Sequence, residues 1–121
     1  MKAMLAAVAW AATATTLAAD SPEVRDMTME KTGMSWRVSV TLAHPDTGWD
    51  HYADAWRVET ADGTVLGTRE LLHPHETEQP FTRSLGSVMV PDGAREIFVR
   101  ARCTVHGWNE EAIAFPVTSD R

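Results

Sequence analysis

All five histidines of this 121-residue chain fall in three short stretches, each of which also carries aromatic rings, carboxylates or both. The first is His44-Pro45-Asp46-Thr47-Gly48-Trp49-Asp50-His51-Tyr52-Ala53-Asp54. The second is His73-Pro74-His75-Glu76-Thr77-Glu78, and the third is His106-Gly107-Trp108. Imidazole nitrogens contributed by separate segments, with Asp or Glu completing the shell, suit zinc or copper(II). His73 and His75 stand two apart, so an extended segment turns both to one side, and Pro74 favours extension. His106 can reach them from the third stretch, and His44 or His51 from the first. The metal candidates are therefore His44, His51, His73, His75 and His106.

The same residues also admit a reading without metal. Trp49, Tyr52 and Trp108 can form a small satellite core that holds long loops down, with the histidines as its polar tips. Arg83 is placed to pair with Asp50, Asp54 or Glu78. Trp49, Tyr52, Arg83 and Trp108 together also have the composition of a protein-interaction surface, because aromatic and arginine anchors dominate interfaces. The acidic first stretch lacks the ligand pattern and glycine of an EF-hand loop, which argues against calcium. Met27, Met29 and Met34 offer thioethers for copper(I), but they read more simply as strand packing. Cys103 is the only cysteine, so no intrachain disulfide can form. It points inward in its segment's alternation and reads as an inert buried thiol. There is no Gly-x-Ser-x-Gly, phosphate loop or His-Glu-x-x-His, so no enzyme is expected.

Strands must position these stretches. Trp36, Val38, Val40 and Leu42 alternate with Arg37, Ser39 and Thr41 ahead of the first stretch. Trp56 and Val58 continue after it as inward residues, with Arg57 and Glu59 outward, and Ala61-Asp62-Gly63 signals a hairpin. Residues 64–71 form the next expected strand. The segment 81–90 extends again, with Gly86 at a bulge. Ile97, Val99, Ala101, Cys103 and Val105 alternate in the sixth strand. Ile113, Phe115 and Val117 make a last one, and Pro116 places it at an edge. A first strand around Val24, Met27 and Met29 brings the count to seven. No segment after residue 19 shows a helical period.

Seven short strands with regular turn signals predict an all-β, seven-stranded antiparallel β-sandwich. In strand number and spacing the chain resembles the immunoglobulin-like and fibronectin type III group over nearly all of residues 20–121. Without the Cys…Trp…Cys spacing it is not a true immunoglobulin domain. The Gly-Trp-Asp-His-Tyr-Ala-Asp and His-Pro-His-Glu-Thr-Glu-Gln-Pro-Phe-Thr-Arg segments look like signatures of a small exported bacterial family. In the sandwich that this resemblance implies, successive loops alternate between the two ends. The three histidine stretches then share one end, and Lys31-Thr32-Gly33, Ala61-Asp62-Gly63 and Pro91-Asp92-Gly93 share the other.

Residues 1–19 read as a signal peptide. Met1-Lys2 supplies a positive start, Ala3 to Leu17 an apolar run, and Thr16-Leu17-Ala18 small residues for cleavage. The run is short of the roughly 20 apolar residues of a membrane span. No twin arginine precedes it and no cysteine closely follows it, so neither Tat export nor lipid anchoring is expected. A periplasmic or secreted protein with no membrane attachment after cleavage is the expectation. The net charge of −6 becomes one unit more negative when Lys2 is removed, the wrong sign for a nucleic-acid binder. With 44% hydrophobic and 23% charged residues, the remaining hundred or so residues can fold around a core as one domain.

Overall fold

A computed structural model describes residues 21–118; the expected signal peptide lies outside the described residues. Eight strands form, all antiparallel: β1 (Glu23–Thr32), β2 (Ser35–Ala43), β3 (Ala53–Glu59), β4 (Val65–Glu70), β5 (Phe81–Val88), β6 (Glu96–Cys103), β7 (Gly107–Trp108) and β8 (Ile113–Pro116). They make two sheets. One has the order β1-β2-β5, and the other runs β4-β3-β6 with both β7 and β8 on the far edge of β6. Among the described residues no helix is long and apolar enough to cross a membrane.

The period-two pattern produces this arrangement directly. Met27, Met29, Val38, Val40, Leu42, Phe81 and Val88 project from the first sheet. Trp56, Val58, Ile97, Val99 and Ala101 project from the second into the same buried cluster. Two apolar faces closing on one another is the sandwich-like packing that the alternation demands. Trp56 is fully buried at its centre, whereas Trp36 is only partly buried and carries Lys31 over its ring. Met34 is exposed, and Met27 and Met29 are core residues, so no methionine cluster forms there.

Two irregularities matter for position. The pairing of β2 with β5 slips between Trp36 and Val38, opposite Gly86 and Ser87, and Ser87 takes φ 59°. That is the bulge expected at Gly86. The expected last strand is β8, and a further two-residue strand, β7, forms within the third histidine stretch, which was expected to be a loop. β7 pairs with Arg102 and Cys103, β8 pairs with Glu96 to Val99, and the chain between them bows away. Arg100 bridges this segment: its Nη1 donates to the carbonyls of Asn109 (2.6 Å) and Glu110 (2.7 Å).

The plain end of the molecule is built from tight turns. In the β3–β4 hairpin, Gly63 N–H donates to the Thr60 carbonyl at 2.9 Å, and the Asp62 carboxylate accepts from the hydroxyls of Thr60 and Thr64. Gly63 holds φ 90°, a conformation in which a Cβ is strained even though nothing stands within 4 Å of it. Gly63→Ala is therefore expected to lower stability by more than about 1 kcal/mol through backbone strain alone. The urea midpoint measures it; an unchanged midpoint would show that the hairpin relaxes to another turn.

Candidate metal centre

β2, β3 and β6 converge at the other end, and each delivers a donor as it ends or begins. His44 follows the last residue of β2, His51 lies two residues before β3, and Cys103 closes β6. The intervening loop is stiff. Asp46 N–H donates to the His44 carbonyl (2.8 Å), Thr47 N–H to the His51 carbonyl (3.0 Å) and His51 N–H to the Gly48 carbonyl (3.2 Å). It is also laced to the end of β6, where Thr104 N–H donates to the Tyr52 carbonyl at 3.0 Å and Tyr52 N–H to the Thr104 hydroxyl at 3.2 Å.

The outcome is a cluster of His44, His51 and Cys103. One donor atom from each lies within 4.8 Å of the other two, an arrangement positioned to coordinate a divalent metal such as zinc. Cys103 Sγ is 3.8 Å from His51 Nε2, and the His44 and His51 rings meet edge to face at 4.8 Å. Tetrahedral zinc, with bonds of about 2.0–2.3 Å, sets its ligand atoms about 3.5 Å apart. The observed spacing is slightly open by that measure. His44 and Cys103 are buried, at 2% and 0% exposure, while His51 is half-buried.

Cys103 is a free, buried thiol, as its alternation required, and it is also one of the three clustered donors. It is buried against imidazoles. His106 Nδ1 lies 3.4 Å from its sulfur, and His106 N–H donates to the same sulfur at 3.3 Å. A cysteine that ends a strand three residues before a histidine was the available signal, because the turn between them returns the imidazole to the thiol. Exposed His106 also lies 5.7 Å, ring to ring, from His51.

His73 and His75 are assembled elsewhere. Their rings lie 4.6 Å apart, as the two-residue spacing predicts, but they are not among the clustered donors. His75 is buried flat against Phe81 at 3.8 Å, and its Nε2 receives Arg83 Nη2 at 2.9 Å. An acceptor nitrogen facing a guanidinium is a neutral imidazole already engaged. Burial first, and then the charge of Arg83, hold the His75 pKa below its ordinary value. His73 turns its Nδ1 to the Pro74 carbonyl at 3.0 Å. The two groups nevertheless adjoin, since the Asp46 carboxylate bonds His44 Nδ1 through one oxygen and the His75 backbone N–H through the other.

The remaining candidates divide. Arg83 pairs with Glu78 (3.2 Å), whereas Asp54 pairs with Arg102. Trp49 packs edge to face on Tyr52 yet stays 68% exposed, and Leu72 is 73% exposed. Trp108 is capped by the Arg57 guanidinium at 4.0 Å. Beside the cluster is an open cavity of about 1210 Å³ whose walls include Val24, His44, Pro45, His106 and Trp108.

Comparison with known proteins adds one relative. The chain is 44% identical over 97 residues to a protein of the archaeon Halomicrobium mukohataei described as a "Putative lipoprotein". The matched segment covers 79% of this chain and 47% of that protein, so the chain spans about half the length of the curated relative it matches. No family model matches, and no solved structure matches.

Proposed function

We propose that this protein is an exported, non-catalytic binding module of immunoglobulin-like type that holds one divalent metal ion at its histidine-rich end. The observation that carries the proposal is the convergence of His44, His51 and Cys103 from three strand ends onto one point. Two imidazoles and a thiolate match the donor preference of zinc, and the same set also suits copper. His106 is the fourth ligand in this reading, because its Nδ1 already stands at about the ligand-to-ligand separation of a tetrahedral ion from Sγ. His73 and His75, given the bonds of His75, serve as loop packing. A bound ion would cross-link the 44–52 loop to the end of β6.

Export is favoured by the apolar stretch of residues 3–17 and by the description of the archaeal relative as a lipoprotein. The immunoglobulin-like assignment is favoured by a three-stranded sheet packed on a larger one, with the histidine loops together at one end. A non-catalytic role is favoured by full burial of the Cys103 thiol, which keeps the best nucleophile away from substrate.

Metal analysis of untagged protein after zinc loading and dialysis tests this. The expected result is one zinc per chain for the wild type and for the His73→Ala/His75→Ala double variant. Wild-type stoichiometry well below one would refute the metal reading. That outcome would leave the second reading, an interaction module using the same end without metal, which the exposure of Trp49 and Leu72 favours.

A further inference from the structure

Asp46 is the most deeply bonded acid of the histidine end. Its side chain is fully shielded from solvent. Oδ1 accepts from His44 Nδ1 at 2.5 Å and from the Ala53 backbone N–H at 3.0 Å, while Oδ2 accepts from the His75 backbone N–H at 2.7 Å. Gln79 completes the frame, accepting from His44 N–H at 3.0 Å and donating to the His75 carbonyl at 2.7 Å.

We propose that Asp46 is the positioning residue of this metal centre and matches it to a divalent rather than a monovalent ion. The inference rests on the metal-binding function proposed above. A histidine that gives its Nδ1 proton to a carboxylate is held in one tautomer, with Nε2 as the nitrogen that would bind metal. The carboxylate also fixes the ring direction and makes the ligand more basic. Because both Asp46 oxygens are also bonded to backbone, from the start of β3 and from the 71–80 loop, the His44 ring is aimed by three parts of the chain at once.

Charge gives the second half of the proposal. A buried carboxylate with no countercharge is costly. Among the described residues no arginine or lysine pairs with Asp46, and the Arg83 guanidinium is spent on His75 and Glu78. A divalent ion bound to the Cys103 thiolate carries one net positive charge, which the Asp46 carboxylate cancels through the His44 ring. A monovalent ion on the same thiolate is already neutral, and Asp46 then leaves the buried centre with an excess negative charge. The acid therefore discriminates zinc from copper(I), although the ligand atoms alone accept both.

Chelator competition under anaerobic conditions, with zinc(II) and copper(I) as the probes, tests this on the wild type and Asp46→Asn. Zinc affinity is expected to fall by about 10–100-fold, the usual cost of losing an outer-shell partner. Copper(I) affinity is expected to fall by much less, so the preference moves toward copper(I). Equal losses for both ions, or a zinc loss below about threefold, overturn the proposal. Nitrogen NMR of the zinc-loaded wild type does not depend on the variant folding. It should find His44 protonated at Nδ1 and metal-bound at Nε2, and metal bound through Nδ1 overturns the proposal. A wild type that takes up no zinc defeats the proposed function and this inference with it. A wild type that binds zinc while Asp46→Asn binds it equally well defeats the inference alone.

Discussion

Replacing Cys103 with alanine is expected to abolish zinc-dependent stabilisation while leaving the apo fold standing. Cys103 is the only thiol in the cluster and supplies its only negative ligand atom. Without it, the ion faces neutral imidazoles, so the loss should exceed the 10–100-fold expected of an outer-shell change. The side chain is small and lies at the end of β6 rather than mid-core, so the apo protein should lose only about 1 kcal/mol of apolar burial. Thermal melts with and without zinc separate these effects. Zinc at 100 times its dissociation constant stabilises a one-site protein by about 2.7 kcal/mol. The wild type should show a gain of that kind, and Cys103→Ala should show none. If the variant gained as much as the wild type, the thiol would be the inert core group that its alternation alone implies.

Arg100→Ala should be the most damaging single change outside the apolar core, at about 3–5 kcal/mol. Glu59 sits on the outer face of β3, yet it is only 2% exposed because two guanidinium groups cover it. Arg100 contacts it twice, Nε to Oε2 at 2.7 Å and Nη2 to Oε1 at 3.1 Å, and Arg57 Nε adds a third bond at 2.7 Å. Removing Arg100 strips Glu59 of its main partner and leaves the carbonyls of Asn109 and Glu110 without their donor. The β7–β8 segment, which forms part of the wall beside the metal centre, loses its clamp at the same time. Urea unfolding near neutral pH measures the effect; a cost under about 1 kcal/mol would mean that the pair acts like an exposed one.

The same cluster sets an acid limb. The Arg100 hydrogen bond, foremost, with help from Arg57 and against the opposing effect of burial, holds the Glu59 carboxyl below its ordinary value of 4.5. A lowered folded-state pKa means that the unfolded chain takes up the proton first. The stabilisation is therefore complete above about pH 4.5 and is lost as pH falls through the folded-state value. Arg100→Ala removes the largest cause, so its stability should be less pH-dependent in that window. A variant retaining the full acid slope would place the origin of the slope elsewhere.

What was legible in the sequence was whatever depends on local geometry. A strand turns alternate side chains to opposite faces, so Val38, Val40 and Leu42, or Ile97, Val99, Ala101 and Cys103, announce both a strand and its buried side. Gly63 and Gly86 mark a turn and a bulge because of what the backbone does there. Antiparallel connections then bring the three histidine stretches together, and the His44–His51–His106 and His73–His75 ring contacts follow from that. The short strand β7 was not legible, because it depends on how the chain turns back to pair with Arg102 and Cys103.

The identity of the donors was likewise decided only by the tertiary structure. His73-Pro74-His75 is the most ligand-like spacing in the chain, yet Phe81 and Arg83 occupy the face and the nitrogen of His75. Cys103 reads as core by its alternation, and becomes a donor because β3 and β6 set His51 beside its sulfur. Residue type and spacing show which groups are able to bind a metal. Which nitrogen or sulfur is turned toward a common point depends on hydrogen bonds made across the sheets, between residues far apart in the chain, and no local period encodes those.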